Sequence, residues 1–284
     1  MSTTRCAATA ITVLALAGMS FSGGALRKEL HFRVGKHPTI SINNPYGPVT
    51  VRAGVPHQVA VVATLHSDRV ELDQSQSRNR INLISHLLPG ADPTSGTVEF
   101  EVLIPPEANL NLHSDTGPLH AEKLRGDVVM EGTNAPVEVL DCADGHVHVR
   151  TVNGSVNLTN VHNGHVEVVS MYGDVVLNGV SGPVVTVNSN SGRIQYDGDF
   201  GDEGEYDFTS HTGSIEAVAP SYASIDVLAR SNQGRVESDF SLEPKHTPFI
   251  SRTGGAFAGT LGMAASSVRL FSFSGKIHLK KRQN

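Results

Sequence analysis

A five-residue pattern, Gly-x-Val-x-Val, returns every nine or ten residues through most of this chain and limits its fold more than any other feature. It reads Gly126-Asp-Val128-Val-Met130, Gly145-His-Val147-His-Val149, Gly154-Ser-Val156-Asn-Leu158, Gly164-His-Val166-Glu-Val168 and Gly173-Asp-Val175-Val-Leu177. Further copies start at Gly182, Gly192, Gly213, Gly234 and Gly275. Two copies make a unit of 18–19 residues, stretched to 21 between Gly192 and Gly213. Strict alternation of this kind belongs to short half-buried strands, and repetition at such a period belongs to stacked arrays.

The two glycines of a unit differ. Gly117, Gly154, Gly173, Gly192, Gly213, Gly234 and Gly275 each follow, by three residues, Ser114, Thr151, Ser170, Ser189, Ser210, Ser231 or Ser272. Ala135 falls in this series by spacing, with Gly132 in place of the hydroxyl. The interleaved Gly126, Gly145, Gly164 and Gly182 follow instead the apolar Leu124, Cys142, Val161 and Val180. Each unit therefore reads as two short strands joined by two corners. The hydroxyls can satisfy corner backbone groups, and the glycines are expected to permit positive φ there.

One unit cannot bury its apolar face; several stacked units can. The expectation is an all-β chain, a single β-solenoid of roughly 18–21 residues per two-strand coil. Aromatics at 5%, no Trp and 28 Gly fit short strands better than helices. In the core, Val166 should stack between Val147 and Val184. Upstream, Ile40-x-Ile42-x-Asn44-x-x-Gly47-Pro-Val49 matches the template with Asn44 in the hydroxyl slot. Residues 26–105 carry longer, less regular strands, as first coils or a cap. Residues 106–284 form the regular solenoid, with an irregular insertion near 240–266 that reads as a loop or cap.

Residues 1–25 read as a signal peptide: Arg5, an apolar run from Cys6 to Phe21, and small residues to a cleavage point after Ala25. The expected location is extracytoplasmic, periplasmic or secreted, with no later run long enough to span a membrane. Cleavage leaves Cys142 alone, so no intrachain disulfide forms; its place beside Leu124, Val161 and Val180 predicts a buried, inert thiol. Charge is uneven. Residues 26–94 carry 8 Lys/Arg against 5 Asp/Glu, and residues 95–275 carry 9 against 23. Such an acidic body argues against nucleic acid as a partner.

The order of "SINNPYGPVTV", a strand ending "VLIPPEANLNLHSDTG" and serial Ser/Thr-x-x-Gly-x-Val units resembles the bacterial "putative adhesin" family of unknown function, related to head domains of auto-transporter adhesins. The resemblance spans roughly residues 30–280. It implies a β-helix-like fold in envelope-associated proteins and brings no catalytic signature to any residue here.

Two clusters could carry chemistry. Asp197, Asp199, Asp202, Glu203, Glu205 and Asp207 lie where the repeat lengthens, and a flexible corner of carboxylates is what calcium takes. Without an EF-hand or nonapeptide spacing, the bland alternative is a solvated acidic turn. His146 and His165 stand 19 residues apart, with His148 opposite Glu167, so four groups could face zinc or copper from adjacent coils. Their bland alternative is the outward half of an alternating strand. Solenoid enzymes use clustered acids on an exposed sheet. The outward positions here, His120, Glu138, Asn157, Val176, Gln195, Glu216 and Glu237, offer only Glu216 and Glu237 as an acidic pair, with no basic partner evident. The nucleophile-elbow, phosphate-loop, His-Glu-x-x-His and Cys-x-x-Cys motifs are missing from the sequence. The reading is an exported, non-catalytic binding or scaffolding module, without a cofactor unless the acidic corner holds calcium. Its partner is an envelope polysaccharide or protein. A solenoid carbohydrate-active enzyme and a metal-binding envelope protein are the alternatives.

Overall fold

Every second residue of the repeat strands is aliphatic, so each strand has one face that must leave water. The computed structural model describes residues 18–22, 25–201, 203–244 and 255–283. Among these, two 13-stranded sheets enclose one continuous core running from Leu30 to Leu279. Each coil gives one strand to each sheet, and equivalent strands of neighbouring coils pair in parallel. The β-solenoid reading holds.

Val147, Val166 and Val185 form one inward column, and Val149, Val168 and Val187 the next. Val185 thus takes the place expected for Val184, which lies opposite His165. The corner before Gly182 is one residue tighter than its neighbours, and the strand after it recovers that residue before the inward column.

The hydroxyl column is buried and serves the corners as anticipated. Ser114 Oγ accepts from Gly117 N at 2.9 Å, Thr151 Oγ1 from Gly154 N at 3.0 Å and Ser272 Oγ from Gly275 N at 2.8 Å. Ser170 and Ser189 instead donate to the carbonyls of Gly173 and Gly192, at 2.7 and 3.0 Å. Asn44 does the same work, donating to Gly47 O at 3.0 Å and Val98 O at 2.8 Å.

Positive φ does not explain the corner glycines, and that expectation is corrected. Of the series only Gly47 has a left-handed φ, 113°; the coils' left-handed turns fall to Lys123, Asp141, Asp144, Asn160, Asn163 and Gly179. Space is the constraint. A Cβ on Gly173 would lie 1.8 Å from the carbonyl oxygen of Gly154, and one on Gly192 2.0 Å from that of Gly173. Ala135 fits the series because position 132 has no side chain: a Cβ there would sit 3.0 Å from the Ala135 Cβ.

Neither end stacks its coils in sequence order. The coil Thr39–Asn43 and Val49–Ala53 is covered on one side by the later Arg80–Leu87 and Val98–Ile104, and on the other by Asn109–Ser114 and Leu119–Glu122. At the far end, Ser266–Ser272 and Ile277–Lys281 enter between Glu205–Ser210 with Ile215–Ala219 and Ile225–Ser231 with Val236–Ser238. Antiparallel strands then close the stack: Ala25–Arg33, Gln58–Leu65 and Val70–Ser77 at one end, Gly255–Leu261 at the other. Such ends break the parallel template that another stack would need to continue.

Of the segment read as a signal peptide, residues 1–17, 23 and 24 lie outside the described residues; Gly18–Ser22 pairs antiparallel with Ala25–Arg33. Residues 245–254 of the insertion also lie outside them. No helix of the described residues is long and apolar enough to cross a membrane.

Cys142 is 2% exposed, and burial pushes its thiol pKa up. Because the thiolate is the reactive species, native protein should resist labelling by a thiol reagent until denatured. Cys142→Val should melt within about 1.5 kcal/mol of wild type, as Val161 and Val180 already fill the same slot. Rapid stoichiometric labelling of the native chain would show that this corner opens.

Candidate functional site

The acidic corner is built on a hidden aromatic plug. Tyr196, Phe200, Tyr206 and Phe208 are buried together, with ring centroids 4.6 to 5.7 Å apart. Tyr196 donates its hydroxyl to Val180 O at 2.9 Å and accepts from Phe200 N at 3.2 Å. Burial pushes that phenol well above its ordinary range. The two extra residues of this unit therefore let Phe200 turn inward and close the core.

The carboxylates around the plug do not share one arrangement. Asp197 is held by the Arg282 guanidinium, whose Nε lies at 2.9 Å. Asp207 accepts from Thr209 Oγ1 at 3.1 Å. Asp199, Glu203 and Glu205 are exposed, and Asp202 lies outside the described residues. Among the described residues no three His, Cys, Asp or Glu side chains converge as a metal site would need.

The 19-residue spacing places the histidines as the sequence suggests. His146 and His165 stack with centroids 4.7 Å apart and planes 10° from parallel. His148 Nδ1 lies 3.1 Å from Glu167 Oε2. An imidazole aims its lone pair in the ring plane, so two parallel rings at this separation do not point at one ion in these rotamers. The arrangement is an aromatic stack beside a His–carboxylate hydrogen bond.

The outward face nearest the C-terminal end is rewired by the inserted strand. Glu216 and Glu237 were expected to be neighbours without basic partners; His278 of Ile277–Lys281 stands between them instead. Lys280 Nζ lies 3.1 Å from Glu216, and Lys276 Nζ 2.7 Å from Glu237, holding the Glu237 carboxyl below its ordinary range. His278 Nε2 meets Asp239 Oδ1 at 2.9 Å, and that hydrogen bond lowers the Asp239 carboxyl. Sequence reasoning missed this clasp. Its signal was present in the basic tail, Lys276, Lys280, Lys281 and Arg282, facing an acidic body. A second patch, an Arg52–Glu122 ion pair at 3.2 Å and a His120–Glu138 hydrogen bond at 2.9 Å, lies on the same sheet.

No curated protein matches the chain. A crystal structure from Clostridium sporogenes, described as a "putative cell adhesion protein", aligns over 90% of this chain and 100% of its own at 13% identity, with a TM-score of 0.30. One from Bacteroides fragilis, described as a "putative adhesin", aligns over 90% and 97% at 11% identity, with a TM-score of 0.48. Among known families, residues 37–280 match Toastrack DUF4097, which takes in the repeat, both displaced end coils and the inserted strand. The chain belongs to the Toastrack DUF4097 family.

Proposed function

We propose that this chain is an exported, non-catalytic module of the cell envelope that binds or scaffolds an envelope polysaccharide or protein through the outward faces of its two sheets. The observation that carries the reading is how those faces are made. Aliphatic side chains fill the core along the stack, while the outward columns are mostly polar and charged at strand spacing, interrupted by Val169 and Val176. That is a surface suited to a long ligand.

The carboxylates argue against glycoside hydrolysis. A general acid there needs a raised pKa beside a second free carboxylate. Glu237 is shifted the other way by Lys276, Glu216 is paired with Lys280, and a histidine separates them. The Arg5 and Cys6–Phe21 leader pattern supports export.

The test uses the full chain expressed in its own host and then purified. Fractionation should recover it outside the cytoplasm, and co-sedimentation should retain it on at least one isolated envelope polysaccharide or protein fraction. Release of reducing sugar from those polysaccharides should stay at the buffer level. Turnover, or partition with no fraction, ends the reading.

A further inference from the structure

One edge of the stack changes sign along its length. It is the edge where the chain passes from the first sheet to Thr39–Asn43 and Asn109–Ser114 of the second, and where the hairpin from Val70–Ser77 turns into Arg80–Leu87 beside Thr39–Asn43. In the terminal coils this corner gathers Arg33, Lys36, His37, His57, Arg78 and Arg80. Further along, the same edge carries Lys123 and Arg125, both paired with carboxylates, then Asp127, Asp141 and Asp144, and then the acidic corner with Asp199, Glu203 and Glu205, beyond which lies the segment 220–224.

The basic group is held together by its backbone. Asn79 accepts from Gly35 N at 2.5 Å and donates to Lys36 O at 2.7 Å. Gln76 Nε2 donates to Arg33 O at 2.8 Å and Arg78 O at 3.1 Å. Val34 N donates to His57 O at 3.0 Å, and Thr39 pairs in register with Arg80. A surface cleft of about 360 Å³ joins Gly35, Lys36 and His37 to Pro56, His57, Pro105 and Glu107. Arg33, Lys36, Arg78 and Arg80 are exposed, and none makes an ion pair with another described residue. The carboxylate on this rim, Glu107, is occupied by Arg125 at 2.6 Å. By contrast, Arg52, Lys123, Lys276, Lys280 and Arg282 all have carboxylate partners.

We infer that this corner docks the protein on an anionic lipid surface. Like-signed cations held close without counter-charges attract an anionic layer, each adding to the affinity. Val55 is 59% exposed in the same loop as Pro56 and His57, giving an apolar tip to enter the headgroup region. A plane is favoured over a flexible polyanion. A polymer reaching the patch would also run along the acidic remainder of the edge, whereas a plane can meet the basic end alone. The inference uses the envelope placement proposed above only for its setting; docking is measured on purified protein and can fail without touching the binding-module reading.

The experiment is co-sedimentation of the purified chain with vesicles of phosphatidylcholine containing about one quarter phosphatidylglycerol, against phosphatidylcholine alone. Wild type should bind the anionic vesicles at about 0.1 M salt and release at about 1 M, where the Debye length falls to roughly 3 Å. The triple variant K36Q/R78Q/R80Q should bind on the order of tenfold more weakly or worse. The triple variant R150Q/R193Q/R235Q removes the same charge from the acidic body and should change binding less than about twofold. Thermal melts of both triples check folding, and the salt dependence of wild type stands apart from any variant. No wild-type preference for anionic vesicles, or equal loss in both triples, overturns the inference. So does binding of inorganic polyphosphate through the same cations with vesicles left unbound.

Discussion

Val166→Asp abolishes the cooperative native state or comes close to it. Val166 is 1% exposed, stacked between Val147 and Val185, with Val168 alongside in the next inward column. Losing the buried isopropyl group costs about 1.5–3 kcal/mol. Burying a carboxylate with no partner costs several kcal/mol more. Together these approach the total stability of about 5–15 kcal/mol typical of a domain. Because each coil is stabilised mainly by its neighbours, failure should begin at the coil His165–Ser170 and Val175–Asn178 and divide the stack there. Urea unfolding followed by circular dichroism reads the outcome. Glu167→Gln, one residue away on the outward face, should stay within about 0.5 kcal/mol of wild type. If Val166→Asp melts as wild type does, the alternation is in the opposite phase and the core assignment fails.

What could be seen from sequence was whatever a local period determines. The inward column through Val147 and Val166, the buried Cys142 and the hydrogen-bonded Ser170 follow from alternation and the 19-residue repeat, both contained in a short window. The order of coils at the ends was not legible, for a definite reason. Ser231-x-x-Gly234-x-Val236 and Ser272-x-x-Gly275-x-Ile277 are the same template, so either could stack next on Ser210-x-x-Gly213-x-Ile215. Pattern cannot rank equivalent units. The ion pairs of Lys280 and Arg282 with Glu216 and Asp197 favour the observed insertion, and they join residues far apart in sequence.

The candidate sites divide the same way. The stacking of His146 on His165 is a matter of register and was legible; the direction of each ring is a rotamer and was not. At the acidic corner the carboxylates drew attention while Phe200 did not. The repeat places Tyr196 and Phe208 in regular inward columns, but Phe200 sits in the lengthened segment where no column predicts it. The buried plug is what that segment stabilises, and the charges are what it leaves outside.

Gly173→Ala separates two physical accounts of the corner glycines by the sign of its effect. If space did not limit this position, alanine would be harmless. The φ of Gly173 is not left-handed, so Ala would reduce the entropy of the unfolded chain and stabilise by about 0.4–1 kcal/mol. The packing predicts the opposite. The new Cβ would stand 1.8 Å from Gly154 O, 2.5 Å from Gly154 C and 3.1 Å from Ser155 N. All three are backbone atoms, so no side chain can rotate away. Relief requires the two coils to part by more than 1 Å, by the roughly 3.0 Å minimum that real Cβ atoms keep. That separation would lengthen the bonds from Tyr172 N to Val152 O, now 2.8 Å, and from Met171 N to Thr151 O, now 3.2 Å. The expected loss is about 3 kcal/mol or more, the upper end of what overpacking costs. Gly90→Ala is the matched comparison: its φ is +84° and nothing lies within 4 Å of a Cβ there. It should lose only the roughly 1–2 kcal/mol of a left-handed alanine. Denaturant melts of the two variants give the ranking, Gly173→Ala well below Gly90→Ala. A Gly173→Ala variant as stable as wild type would mean that the coils stand farther apart at this corner than 1.8 Å allows, and that neither space nor backbone conformation requires glycine there.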